Sequence, residues 1–153
     1  MGIGEQPASS IFQEIRDIEL DGIMGNELVI MEELTPPDGR SRISFTIQRF
    51  DTGLGSWRNE YVWIADNHSS ADIENECWNI TKTPAVLLKA QQRNGDISYR
   101  VVGTCNGSLY EFIARDSLPQ GNSFFYGGSI IEQAEGQYSI WVMTDGKLAL
   151  NPY

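Results

Sequence analysis

Apolar and polar positions alternate with a period of two along much of residues 27–153. Over 42–50, Ile43, Phe45 and Ile47 fall on one face and Ser44, Thr46 and Gln48 on the other, the pattern of a strand covered on one side. Ile97, Tyr99 and Val101 draw the same stripe over 97–104. Between such runs stand Pro37-Asp38-Gly39, Asn94-Gly95, Asn106-Gly107, Glu135-Gly136 and Asp145-Gly146. Residues of this kind tolerate positive φ, so each marks a hairpin between antiparallel strands. Residues 1–26 differ: Ser10 and Gln13 have capping-box spacing, and Ile11, Ile15 and Ile18 recur at helical intervals, which predicts a short amphipathic helix over 11–18. Alternation around Glu19 and Asp21, stopped by Gly22, fits a strand equally well.

The runs fall into three similar groups. Those at 27–34, 42–50 and 56–65 form the first, those at 85–92, 97–104 and 108–114 the second, and those at 129–134, 137–144 and 147–151 the third. Ile43-Ser44-Phe45 corresponds to Ile97-Ser98-Tyr99 and Tyr138-Ser139-Ile140, and Tyr61-Val62-Trp63-Ile64-Ala65 to Tyr110-Glu111-Phe112-Ile113-Ala114. Periods of this size point to a repeated sheet unit. The expectation is one all-β domain spanning 1–153, with about nine strands in antiparallel meanders over 27–65, 85–115 and 123–151. It is propeller-blade-like or a threefold β fold, with a short N-terminal helix or extended arm over 1–26. The connections at 66–84 and 116–122 are polar and rich in turn formers.

Charge narrows the partners. With 21 acidic against 11 basic residues the net charge is −10, which opposes phosphate backbones and anionic membranes. Neither nucleic acid nor a membrane is expected; a glycan or small neutral ligand, or a basic protein, fits better, and self-association into a homo-oligomer is left open. No apolar run approaches the ~18 residues a membrane span needs, and no signal segment is visible, which favours a cytoplasmic protein. Cys77 and Cys105 form no CxxC pair and are expected to be free thiols.

Catalytic and metal chemistry find little support. His68 is the only histidine, in the loop-like run Asp66-Asn67-His68-Ser69-Ser70, and is expected in solvent rather than as a general base. No nucleophile elbow, P-loop or dinucleotide fingerprint occurs. Asp66, Asp72, Glu74 and Glu76 form a dense acidic stretch of hard oxygen donors, but the spacing is not that of a calcium loop, and a solvated loop is the expectation. No catalytic residue, metal or cofactor is assigned. Among the tryptophans, Trp63 and Trp141 read as core, while Trp57 and Trp78 are candidates to stack on a sugar ring.

Tyr99-Arg100-Val101, then Gly107 and Leu109-Tyr110-Glu111, resembles a blade of the fucose-binding propeller lectins. There an arginine on one strand and a glutamate on the next clasp the sugar, which would give Arg100 and Glu111 that role. The third group departs, since Ser139 and Leu150 stand where arginine and glutamate would be needed. Gly136-Gln137-Tyr138 through Met143-Thr144-Asp145-Gly146-Lys147-Leu148 is similar to one repeat of the bulb-type mannose lectins. Met143 and Lys147 replace the glutamine and asparagine that bind mannose there, so that site would be lost. The expected function is that of a non-catalytic, lectin-like carbohydrate-binding protein using Trp78, Arg100 and Glu111. The alternative is an acidic inhibitor or immunity-type protein that covers a basic partner. Arg100 and Glu111 must project to one side for the first reading, with Tyr99 and Val101 in the core.

Overall fold

A computed structural model describes residues 9–20, 27–35 and 40–153, with backbone alone for 9–13 and 35. Twelve strands fill it: β1 (Ser9–Ile18), β2 (Glu27–Thr35), β3 (Arg42–Asp51), β4 (Ser56–Asp66), β5 (Ser70–Trp78), β6 (Thr83–Gln91), β7 (Ile97–Cys105), β8 (Ser108–Leu118), β9 (Asn122–Tyr126), β10 (Ser129–Ala134), β11 (Gln137–Thr144) and β12 (Lys147–Pro152). They form three sheets of four strands, each an antiparallel meander in chain order. We name them A (β1–β4), B (β5–β8) and C (β9–β12).

The three groups read from the sequence are these sheets, but each lacks its first strand. Residues 11–18, where isoleucine spacing predicts a helix, lie in β1, which runs antiparallel to β2 from Ser9↔Thr35 to Ile18↔Glu27. Pairing with an adjacent strand satisfies backbone groups that a helix of so few residues would leave largely open at its ends. The acidic stretch expected as a loop is mostly β5, paired with β6 from Ser70↔Gln91 to Trp78↔Thr83. β9 follows the Pro119-Gln120-Gly121 turn and is only five residues long.

The turns behave as the sequence indicates wherever they are described; Pro37-Asp38-Gly39 lies outside the described residues. Asn106-Gly107, Glu135-Gly136 and Asp145-Gly146 hold both residues at positive φ, which matches the right-handed twist of the flanking strands. Gly127-Gly128 makes the same kind of turn between β9 and β10.

Two apolar clusters stack the sheets. Val29, Ile43, Phe45, Ile47 and Trp63 of sheet A meet Ile73, Val86, Leu88 and Val102 of sheet B. Ala85, Leu87, Tyr99, Val101 and Ile113 from the other side of sheet B meet Phe125 and Ile130 of sheet C. Sheet B is therefore the middle layer, and β6 is buried from Ala85 to Leu88 without interruption, as a strand covered on both faces must be. Sheets stacked face to face in this order are arranged like successive blades of a propeller.

Candidate functional site

The cleft with the richest chemistry opens at the margin between sheets A and B. It encloses about 390 Å3 and is lined by residues of β4 and the β4–β5 loop, among them Asp66 and His68, and by Ser98, Arg100 and Asp116 of β7 and β8. Because Tyr99 and Val101 point into the B–C core, alternation turns Ser98 and Arg100 towards sheet A.

Arg100 is 12% exposed and held on all sides. Its guanidinium lies 4.3 Å from the ring centre of Trp63, whose ring stacks on Phe45 at 5.0 Å. Nη1 donates to the carbonyl oxygens of Tyr99 at 3.0 Å and Arg115 at 3.1 Å. These contacts close the irregularity where β7–β8 pairing shifts register between Ile97 and Tyr99. Nη2 meets Asp116 Oδ1 at 2.8 Å, and Nε meets Glu111 Oε1 at 3.4 Å. The same Glu111 oxygen accepts the Tyr61 hydroxyl proton at 2.6 Å, which ties β8 to β4. Burial and that hydrogen bond to a carboxylate both push the Tyr61 phenol above its ordinary 10.0, so it stays a donor.

At the other end of the cleft His68 is 5% exposed, not in solvent as its loop composition suggested. Asn67, just before it, takes a positive φ of 63° and turns the chain inward. Nδ1 lies 2.7 Å from the Asp66 carbonyl oxygen, which can only accept, so Nδ1 carries a proton. Nε2 lies 3.0 Å from Ser98 Oγ and in the neutral ring accepts its proton, while that oxygen accepts the Ser117 N–H at 3.1 Å. A serine beside an imidazole invites a nucleophilic reading. Ser98 is 2% exposed and already engaged by the Ser117 N–H, so the pair locks the β4–β5 loop onto the β7–β8 irregularity.

The predicted site residues therefore separate. Arg100 and Glu111 come together on the side of sheet B that faces sheet A; alternation turns Arg100 there, and a register shift between Val101 and Val102 turns Glu111 there although Ile113, two residues on, lies in the B–C core. Trp78 does not join them: it is fully buried in the B–C cluster, edge-on to Phe112 at 5.5 Å, and has no open face on which a ring could stack. An indole at the end of a polar strand reads as a rim residue only while β5 is taken for a loop. Trp63 and Trp141 are inside as expected, Trp141 partly so, and Trp57 packs against Phe50 near the tip of the β3–β4 hairpin. His68, Ser98 and Asp116 complete the cleft, with Tyr61 bonded to Glu111, and none of the four was singled out for it.

Most of the acidic stretch is spoken for, and Glu76 is exposed. Lys89 Nζ lies 2.7 Å from Glu74 and 4.0 Å from Asp72, and Glu74 also accepts the Phe125 N–H at 3.1 Å. Among the described residues no cluster of three or more His, Cys, Asp or Glu is placed to hold a metal ion. Cys77 and Cys105 are exposed and unbridged. Among the described residues no helix is long and apolar enough to cross a membrane. Comparison with protein-family models, with curated proteins and with solved structures finds no match to the chain.

Proposed function

We propose that the chain is a non-catalytic binding protein whose A–B cleft takes a small neutral hydroxylated ligand of the carbohydrate class. The observation that carries this reading is the charge balance around Arg100: its single positive charge is met by the carboxylates of both Glu111 and Asp116. A cleft compensated in this way offers no net attraction to an anion. It does offer acceptors on Asp66 and Asp116, which are 66% and 67% exposed, beside the amides of Asn67 and Gln92. Mixed donors and acceptors in a space of about 390 Å3 suit the hydroxyls of a sugar ring. Trp78 has no part in the reading. Orientation by hydrogen bonds replaces stacking, because the free face of Trp63 is covered by Arg100.

The test is a glycan array followed by amide chemical-shift mapping with the monosaccharides it selects. Shifts confined to Asn67, Gln92, Asp116 and Ser117, abolished in Asp116→Asn, are expected. An array without hits, together with unmoved amides at saturating monosaccharide, would reject the proposal. The acidic-inhibitor reading would then lead, favoured by the exposed carboxylates at this margin in a chain of net charge −10.

A further inference from the structure

Sheet B is covered on both faces, whereas sheets A and C each turn one face away from the stack. An antiparallel sheet at the end of a stack normally alternates apolar inward and polar outward. These two do not. On sheet A, Ile15, Ile30, Thr46 and Val62 pair in one unbroken row across all four strands, on the face opposite Val29, Phe45 and Trp63. Ile15 is 57% exposed, Val62 52% and the neighbouring Ile64 53%. Val62-Trp63-Ile64-Ala65 is thus apolar on both faces, as the buried stretch of β6 from Ala85 to Leu88 is. On sheet C the outward row runs Phe124, Ile131, Ile140, with Val142 and Ala149 beside it; Ile131 at its centre is 2% exposed and the others are half-buried. Tyr126 and Tyr138 on the same face are 65% and 48% exposed.

Charge distinguishes the two faces. The outward positions of sheet C carry, among the described residues, Lys147 as their one ionic group and no carboxylate, although the chain has 21 acidic residues. Outward positions of sheet A include Asp17 and Glu32, besides the Arg42–Asp66 pair. Face A against face A would set acid against acid; face A against face C does not.

We propose that the chain assembles head to tail, with the outward face of sheet C in one copy lying on the outward face of sheet A in the next. The contact continues the step already made twice within the chain, from A to B and from B to C. In those steps first strands stay adjacent, as Arg16 reaching the Ile73 carbonyl and Glu74 accepting the Phe125 N–H show. Between A and B the last strands meet as well, through Tyr61 and Glu111. A repeated head-to-tail step closes into a ring where its rotation divides a full turn, and runs on as an open filament where it does not. Two copies bring six four-stranded sheets, within the roughly four to eight at which such stacks close around an axis. Four strands at ~4.8 Å, taken over about six residues at ~3.4 Å, make a face of about 400 Å2. Two contacts of two faces each then bury about 1,600 Å2, the size of a stable complex.

The experiment is sedimentation equilibrium on the full chain, with Val62→Lys on face A and Ile140→Glu on face C. Wild type should have twice the monomer mass. Each single variant should weaken association at least tenfold, and an equimolar mixture should recover it, because one contact joins two native faces and the other joins lysine to glutamate. Val62→Thr and Ile140→Thr, which suit a strand, guard against misfolding, and each should weaken association less than its charged counterpart. A monomeric wild type would overturn the proposal. So would loss of association in the Val62 variants alone, which would mean face A meeting face A, or a mixture that fails to recover.

Discussion

Tyr99→Phe removes one oxygen from the B–C interface and little else. The Tyr99 hydroxyl donates to Glu132 Oε1 at 2.8 Å and accepts from Trp141 Nε1 at 2.8 Å. Glu132 is 3% exposed, and its carboxylate is otherwise held by Arg115 through Nε at 2.8 Å and Nη2 at 3.0 Å. The ring of Tyr99 is fully buried among Leu87, Val101 and Ile130, so phenylalanine fills the same space without leaving a cavity of note. Loss of a hydrogen bond to a carboxylate costs about 1.5–3 kcal/mol. The indole N–H of Trp141 is left without its acceptor, but Trp141 is only partly buried, so water recovers part of that second cost. A net loss of about 2–3 kcal/mol is expected. Urea unfolding at neutral pH, followed by far-UV circular dichroism, reads this as a lower midpoint at unchanged slope. A loss below about 0.5 kcal/mol would refute the network as a structural element, since that is the range of an ordinary surface substitution.

Two further outcomes follow from the backbone and from protonation. Gly107 sits at φ +81° with nothing within 4 Å of an added Cβ, so Gly107→Ala should cost about 1 kcal/mol from the left-handed backbone alone. Gly128 shares that φ but a Cβ there would fall 2.5 Å from Asn79 Oδ1, so Gly128→Ala should lower the urea midpoint further than Gly107→Ala; equal midpoints would contradict the packing of that turn. Tyr61 and Tyr99 both have phenols raised above 10.0, chiefly by burial, so their protonated forms stabilise the fold fully below pH 10. Above it the unfolded chain binds fewer protons than the native one, and stability should fall as the pH rises. Urea midpoints measured from about pH 8 to 11 check this, and Tyr99→Phe should flatten the decline.

The strands that could be read in the sequence are those whose two faces differ. Ile43, Phe45 and Ile47 pack inward while Ser44 and Thr46 do not, and the local pattern states this without help from the rest of the chain. First strands were hidden for the opposite reason. β5 carries Asp72, Glu74 and Glu76 along a strand with few apolar positions; Arg16 and Lys89 face Asp72, Lys89 and the Phe125 N–H hold Glu74, and Glu76 stays exposed to solvent. Composition reports the acids and not their partners. The cleft divides in the same way: strand parity turns Arg100 towards sheet A, whereas Glu111 reaches that side only through the register shift between Val101 and Val102, and His68 and Ser98 meet across 30 residues of sequence through a positive φ at Asn67. Glu132 did leave a trace, as an acid directly after Ile130 and Ile131 on a strand whose even positions face the core.

Arg100 and Glu132 show how the middle sheet combines two unlike interfaces. Each interface contains a planar fork of arginine donors closed by carboxylate and a tyrosine hydroxyl: Arg100, Glu111 and Tyr61 between A and B, Arg115, Glu132 and Tyr99 between B and C. The second is sealed, with Glu132 at 3% exposure, so its polar groups are satisfied internally and act as a clamp. In the first, the Glu111 side chain is 40% exposed and Asp116 67%, so acceptor capacity on those oxygens faces solvent. The same set of groups is thus structural where buried and available where open, and that difference in exposure is the physical reason for proposing ligand recognition at the A–B margin rather than in the B–C core.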